Sequence, residues 1–301
     1  MTETCNGVIG VVGLPYCGST ILSYVLGSHS EIYCGADLYK LSPNYDSGCS
    51  LHGEECHIWT RENKNSVYDS LAISQSKYYD RICEITSSSV ICDASKSPAY
   101  FNSRIPKVDS QVLLVNLNKH PLRHICSLLF NHHFVKDLGI RGDTEIKRYL
   151  SENWEDAALF INKSLDRILN HIEDVKILEN SLPNCSWLEM KYEDFVIKPQ
   201  KIIDEVLIDL DLNFEEGQLH FEMHDLHPIV GNTGPRRKVR IPKSKMKSEH
   251  DLRASFYDSG ESSIQMDEKY LLVFNENQIS KIRSMPTYQQ LCSDLGYSIY
   301  P

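Results

Sequence analysis

Ser19 and Thr20 close the stretch Gly7-Val8-Ile9-Gly10-Val11-Val12-Gly13-Leu14-Pro15-Tyr16-Cys17-Gly18-Ser19-Thr20, where an apolar run gives way to a glycine-bounded loop. Glycines let backbone N–H groups converge on an anion, two hydroxyls can donate to it, and a helix starting here adds the positive end of its dipole. The chemistry suggested is phosphate binding by a strand, a tight loop and a helix start. Gly13 and Gly18 have the spacing of the nucleotide-hydrolysing motif G-x-x-x-x-G-K-[ST], but Ser19 stands at the lysine position. The loop suits phosphate and not ordinary ATP chemistry.

A second candidate anion site is Asn118-Lys119-His120-Pro121-Leu122-Arg123-His124-Ile125-Cys126-Ser127. Lys119 leaves a strand, Pro121 suits a first helical turn, and Ser127 comes two turns later with Arg123 at i−4 on its face. A third group, Asp93-Ala94-Ser95-Lys96-Ser97, also follows an apolar run. Residues 236–247 carry seven cations in twelve positions, Arg236, Arg237 and Lys238 among them. Such a run is either a solvated loop or a local polyanion contact.

These side chains need elements to hold them. Short aliphatic and β-branched runs at residues 8–12, 89–92, 111–116 and 186–190 read as buried parallel strands. Helical patterns lie between and after them, at 21–26, 66–74, 124–130, 146–172 and 199–210. Alternation of this kind predicts an α/β fold, a parallel sheet covered on both faces, with ligands beyond the carboxyl ends of the strands. No repeat or Gly/Ser linker divides the chain, so residues 1–301 are expected to form one domain. It would carry an irregular insertion at about 41–65 and a basic flexible segment at about 234–250.

The bulk composition narrows the function classes. With 41% hydrophobic and 24% charged residues the chain is ordinary for a folded globular protein, and no apolar run approaches the roughly 20 residues of a membrane span. A net charge of −10 argues against general nucleic-acid affinity, so any polyanion site must be local. The N-terminus lacks the basic start of a signal peptide, and a cytoplasmic protein with reduced thiols is expected.

Taken in order, these motifs resemble those of the sulfotransferases that use 3′-phosphoadenosine 5′-phosphosulfate (PAPS). The family opens with Pro-[Arg/Lys]-Ser-Gly-[Ser/Thr]-Thr, matched by Pro15-Tyr16-Cys17-Gly18-Ser19-Thr20 except at Tyr16 and Cys17. Its second motif, Arg-Asp-Pro with a serine eight residues after the arginine, is similar to Lys119-His120-Pro121 with Ser127. Met190-Lys191-Tyr192-Glu193-Asp194-Phe195 looks like its Arg-Tyr-Glu-Asp-Leu segment, and His227 through Gly231-Asn232 to Arg236 like its late His, Gly-Asn and Arg segment. The resemblance implies a three-layer, P-loop-NTPase-like fold with a parallel sheet flanked by helices. It also implies direct in-line sulfuryl transfer to a hydroxyl acceptor that is small or carrier-bound, without a required metal. PAPS would be held by Pro15, Cys17, Gly18, Ser19, Thr20, Lys119, Ser127, Tyr192, Arg236, Arg237 and Lys238.

Tyr16 replaces the cation that the family places against the bridging phosphate oxygen, and tyrosine brings a hydroxyl without charge. Losing such a contact costs a factor on the order of 10² to 10³ in rate unless another cation takes its place. Lys96 is the candidate substitute and Tyr16 retains a donor role. Asp37 is the leading general base, as it follows the opening helix where many relatives carry an acid; Asp93, His120 and His124 are alternatives. Cys49, His52, Cys56 and His57 offer possible zinc ligands within nine residues, with Trp59 close behind. The spacing is tight and no second Cys-x-x-Cys supports it, so no metal is assigned. Two other readings stay open: a nucleotide-binding homologue impaired in catalysis, and a P-loop-type kinase, against which the missing lysine weighs.

Overall fold

Strand β1, Gly7–Val12, is buried at every position and so must lie in the middle of a sheet. It pairs in parallel with β3, Val90–Lys96, on one side and with β4, Gln111–Asn118, on the other. The sheet is completed by β2, Ile32–Ala36, beyond β3, and by β5, Ser186–Lys191, beyond β4, in the order β2-β3-β1-β4-β5. Every ladder is parallel, so all five carboxyl ends share one edge. The computed structural model describes residues 4–41, 48–130, 143–231, 239 and 264–301.

Helices carry each crossover. Helix α1, Ser19–Leu26, joins β1 to β2; α2, Arg61–Ile73, and α3, Gln75–Thr86, lead to β3; α4, Pro98–Arg104, leads to β4. Between β4 and β5 run α5, Pro121–Leu129, α6, Asp143–Glu152, and α7, Trp154–Ser181. After β5 come α8, Tyr192–Ile197, and α9, Pro199–Ile208, and near the C-terminus α10, Lys269–Val273, α11, Glu276–Arg283, and α12, Pro286–Asp294. The sheet faces form one apolar core with α1, α3 and α9. A second core joins α5, α6 and α7 to the C-terminal helices through Leu129, Ile146, Ile161, Val273 and Leu291.

The α/β parallel-sheet architecture agrees with the sequence reading, and four details differ. Strand β2 is not predicted by the pattern: its five residues include Gly35 and carry little β-branching, and it is Ile32–Ala36 rather than a loop that delivers Asp37. The pattern over 146–172 is two helices, broken at Asn153, whose φ of −129° and ψ of 48° are not helical, and the second continues to Ser181. The insertion expected to be irregular through residue 65 ends earlier, because Thr60 caps α2 by accepting from the Asn63 N–H at 3.1 Å. The run Gln75–Thr86, outside every predicted helix, forms α3 with Ser74 as its cap.

Two irregularities shape the carboxyl edge of the sheet. The β1–β3 and β2–β3 ladders shift register there, between Gly10 and Val12 and between Cys34 and Ala36. Beside these shifts Ala36 and Lys96 have φ of 49° and 68°, left-handed values that side chains rarely adopt. Bulges of this type re-aim a side chain, and here they lie next to Asp37 and Lys96 at the ends of β2 and β3.

Candidate functional site

The first loop leaves β1 at Gly13 and enters α1 at Ser19. Its shape is fixed from both sides: the Gly13 N–H donates to the Lys96 carbonyl at 3.2 Å, and His124 on α5 meets the Pro15 carbonyl through Nε2 at 2.9 Å. Burial holds His124 well down, to about 3, so the ring is neutral at physiological pH and its Nε2–H is the donor to Pro15. Gly18 has φ of +106°, and a Cβ there would meet the Tyr192 ring at 2.4 Å. Both the backbone and the close approach therefore require glycine. Gly18 brings no capping side chain, and Ser19, Thr20 and Ile21 of the first α1 turn line the cleft. Tyr16 has φ of 72°, a left-handed conformation that a bulky residue holds only under constraint.

Opposite the loop, the bulged strand ends assemble a charge cluster. The Lys96 ammonium contacts Asp37 Oδ1 and donates to the Ala94 carbonyl at 2.9 Å, while Lys40 reaches Asp37 Oδ2 at 3.3 Å. Asp37 is buried apart from its opening to the cleft, and its own N–H donates to the Val230 carbonyl at 3.1 Å. Pro15, Tyr16, Gly18, Ser19, Thr20, Asp37, Lys40 and Lys96 all line one cleft.

The same cleft is closed by Lys119, Ser127, Tyr192, Asp267 and Lys269. Lys119 Nζ donates to Ser127 Oγ at 2.9 Å and to Asp267 Oδ2 at 2.5 Å, and Ser127 Oγ donates to the same carboxylate oxygen at 2.9 Å. Burial alone would raise the Asp267 carboxyl; Lys119 and Lys269 outweigh it and hold the group well below the usual carboxylate range. A carboxylate thus lies between lysine and serine. Tyr192 fixes the neighbouring wall, its hydroxyl donating to the Gln265 carbonyl at 2.7 Å and its ring lying 5.1 Å from Lys119 Nζ.

Known proteins share this architecture. The model of the sulfotransferase family matches residues 9–216. The chain belongs to the sulfotransferase family. The fold agrees with two solved sulfotransferase domains. One comes from the curacin biosynthetic pathway, 18% identical, with 97% of this chain and 98% of that one covered and a TM-score of 0.53. The other comes from the olefin synthase of Synechococcus PCC 7002, 15% identical, with 98% and 96% covered and a TM-score of 0.53. No curated protein matches the chain.

In this sulfotransferase most of the residues singled out in the sequence meet in the cleft. Cys17 is an exception: its thiol is buried beneath the loop and burial pushes it up, so it packs against Gly13 rather than facing a ligand. Arg236, Arg237 and Lys238, with the rest of the basic segment at 234–250 apart from Val239, lie outside the described residues. Among the alternative bases, Asp93 is fully buried and accepts from Tyr79 and Tyr100 at 3.3 and 3.0 Å, below the cleft. His120 spends Nδ1 on the Leu122 N–H at 3.2 Å and meets the Ser298 carbonyl through Nε2 at 3.0 Å. His124 holds Pro15.

Lys40, Asp267 and Lys269 escape the sequence reading. Lys40 could have been found from its spacing of three residues after Asp37; Asp267 is joined to Lys119 only by tertiary structure. The metal-ligand candidates also regroup. Cys49, His52 and Cys56 cluster with His227, and all four ligand atoms lie within 4.8 Å of one another. His57 is not part of that set; its ring stands edge-on to His227 at 4.7 Å. Among the described residues no helix is long and apolar enough to cross a membrane.

Proposed function

We propose that this sulfotransferase moves the sulfuryl group of PAPS directly to a hydroxyl of an acceptor, in the cleft at the carboxyl edge of the sheet. The observation that carries the reading is the convergence of two anion sites and an acid–lysine pair in one cleft: Ser19 and Thr20 at the α1 terminus, Lys119 with Ser127, and Asp37 with Lys96. The residues fit the donor. Ser19 and Thr20 line the cleft at the α1 terminus, which has no side-chain cap, where a phosphate would seat, and the Lys119–Ser127 pair already holds one anionic group, the Asp267 carboxylate, as it would hold the 3′-phosphate. Asp267 must give way when that phosphate arrives.

Asp37 accepts the acceptor's hydroxyl proton while the hydroxyl oxygen forms its bond to sulfur. The bond between sulfur and the bridging phosphate oxygen breaks, and the 5′-phosphate leaves with the electron pair. Fixed N–H groups at the α1 terminus and the Lys96 ammonium stabilise the charge that grows on that oxygen. Lys96 thereby supplies the cation that Tyr16 lacks, with the Tyr16 hydroxyl as an additional donor. No step of this transfer calls on a cysteine thiol.

The test is release of 3′-phosphoadenosine 5′-phosphate (PAP) from PAPS across a panel of sugar, phenol, steroid and carrier-bound hydroxyl acceptors. Acceptor-dependent release that falls by about 10² to 10³ in Lys96→Ala and that ignores magnesium supports the reading. PAP binding without release from any acceptor would instead favour a nucleotide-binding protein that has lost turnover.

A further inference from the structure

Cys49, Cys56 and His227 are buried and His52 is half-buried, and no part of the sulfuryl-transfer chemistry uses them. We propose that these four side chains bind one zinc ion as a closed, structural centre that pins the 49–59 insertion to the segment carrying His227. The distances are those of a tetrahedral site before the ion pulls it together. Zn–S bonds of about 2.3 Å and Zn–N bonds of about 2.0 Å at a tetrahedral angle put sulfur and nitrogen about 3.5 Å apart. Cys49 Sγ lies 3.2 Å from His52 Nδ1, and Cys56 Sγ lies 3.3 Å from His227 Nδ1.

The surroundings are those of a metal site and not of a thiol pair in a core. Each sulfur accepts a backbone N–H from three residues on, Cys49 from His52 at 3.2 Å and Cys56 from Trp59 at 3.3 Å, an arrangement that stabilises thiolates. Each imidazole turns Nδ1 toward a sulfur and Nε2 toward the same carboxylate: Asp225 lies 3.0 Å from His52 and 3.4 Å from His227. A carboxylate behind the histidine fixes the tautomer that leaves the other nitrogen free to ligate. Binding replaces two thiol protons by the dication, and the two thiolates with two neutral imidazoles leave the centre uncharged. Four protein ligands leave no open position, which marks a structural rather than a hydrolytic zinc.

The centre reaches the active cleft through the backbone. The His227 carbonyl accepts from Trp59 Nε1 at 3.0 Å and from the Tyr33 hydroxyl at 2.9 Å, and three residues on, Val230 holds the Asp37 N–H. The ion would thus fix the strand-like segment against which Asp37 is seated.

The experiment measures metal in full-length protein purified without a metal-affinity step, then replaces it with cobalt. Stoichiometric zinc, the absorption of tetrahedral thiolate-ligated cobalt, and loss of both in Cys56→Ser and His227→Ala but not in His57→Ala are expected. Asp225→Asn should weaken zinc affinity about 10- to 100-fold with the cobalt spectrum retained. If the ligand variants fail to fold, chelation of the wild-type protein carries the test: zinc release should lower its melting temperature and re-addition should restore it. Protein free of zinc that takes up no cobalt, octahedral cobalt, or a Cys49–Cys56 disulfide in the protein as purified under reducing conditions would overturn the proposal.

Discussion

Asp267 is the residue that most sharply qualifies the proposed donor site. Its carboxylate sits where Lys119 and Ser127 would receive a phosphate, and its depressed pKa means that the anion persists at any physiological pH. A donor must therefore displace one buried anion with another. Asp267→Asn is expected to tighten binding of PAP, by roughly the tenfold that about 1.4 kcal/mol represents, as read by calorimetry; weaker binding would mean that Asp267 shapes the site instead of blocking it. The residue scale is also where the sequence is most and least informative. Tyr16, Asp37, Lys96, Lys119, Ser127 and Tyr192 are legible because each sits in or beside a motif at a strand end. Asp267 and the clustering of His227 with the cysteines are not, because 148 residues separate Lys119 from Asp267 and 171 separate Cys56 from His227.

At the scale of elements, the site depends on strand ends that depart from regular geometry. The register shifts at Gly10–Val12 and Cys34–Ala36 and the left-handed Lys96 lie where β2 and β3 end and Asp37 and Lys96 meet. Hydrophobic pattern predicts strands and not their bulges, so the sequence places Lys96 at the sheet edge of the first loop without pairing it to Asp37. Strand β2 itself is hard to read for a related reason: five residues containing a glycine give too short a period-2 signal. The loop-to-α1 junction is the most constrained element. Gly18→Ala adds a Cβ against the Tyr192 ring in a backbone region that alanine avoids. It is expected to destabilise the protein by about 1–3 kcal/mol and to abolish measurable PAP binding, checked by thermal unfolding and calorimetry on the same sample. Unchanged binding would remove the loop from the donor site.

For the molecule as a whole, a chain of net charge −10 gathers Lys40, Lys96, Lys119 and Lys269 around one cleft that also holds Asp37 and Asp267, so cations outnumber carboxylates in its lining, a balance that favours an anionic ligand there. Global stability should carry the mark of the sheet's buried acid, Asp93, which burial pushes up to about 6. Because the folded pKa lies above the unfolded value of about 3.9, the folded state binds the proton more tightly. That contribution is complete below about pH 4 and is lost as pH rises through about 6; Asp93→Asn should flatten this slope in denaturant titrations across the range. The central claim, that the cleft is a PAPS site, is tested most directly by calorimetric titration with PAP, with and without magnesium, alongside ATP. Since Lys119→Ala alone would strand a buried carboxylate, the control is the Lys119→Ala/Asp267→Asn double variant compared with Asp267→Asn. Micromolar, magnesium-independent binding to the wild type that is lost with Lys119 is the predicted result; no binding, or a preference for magnesium-ATP, would contradict the account.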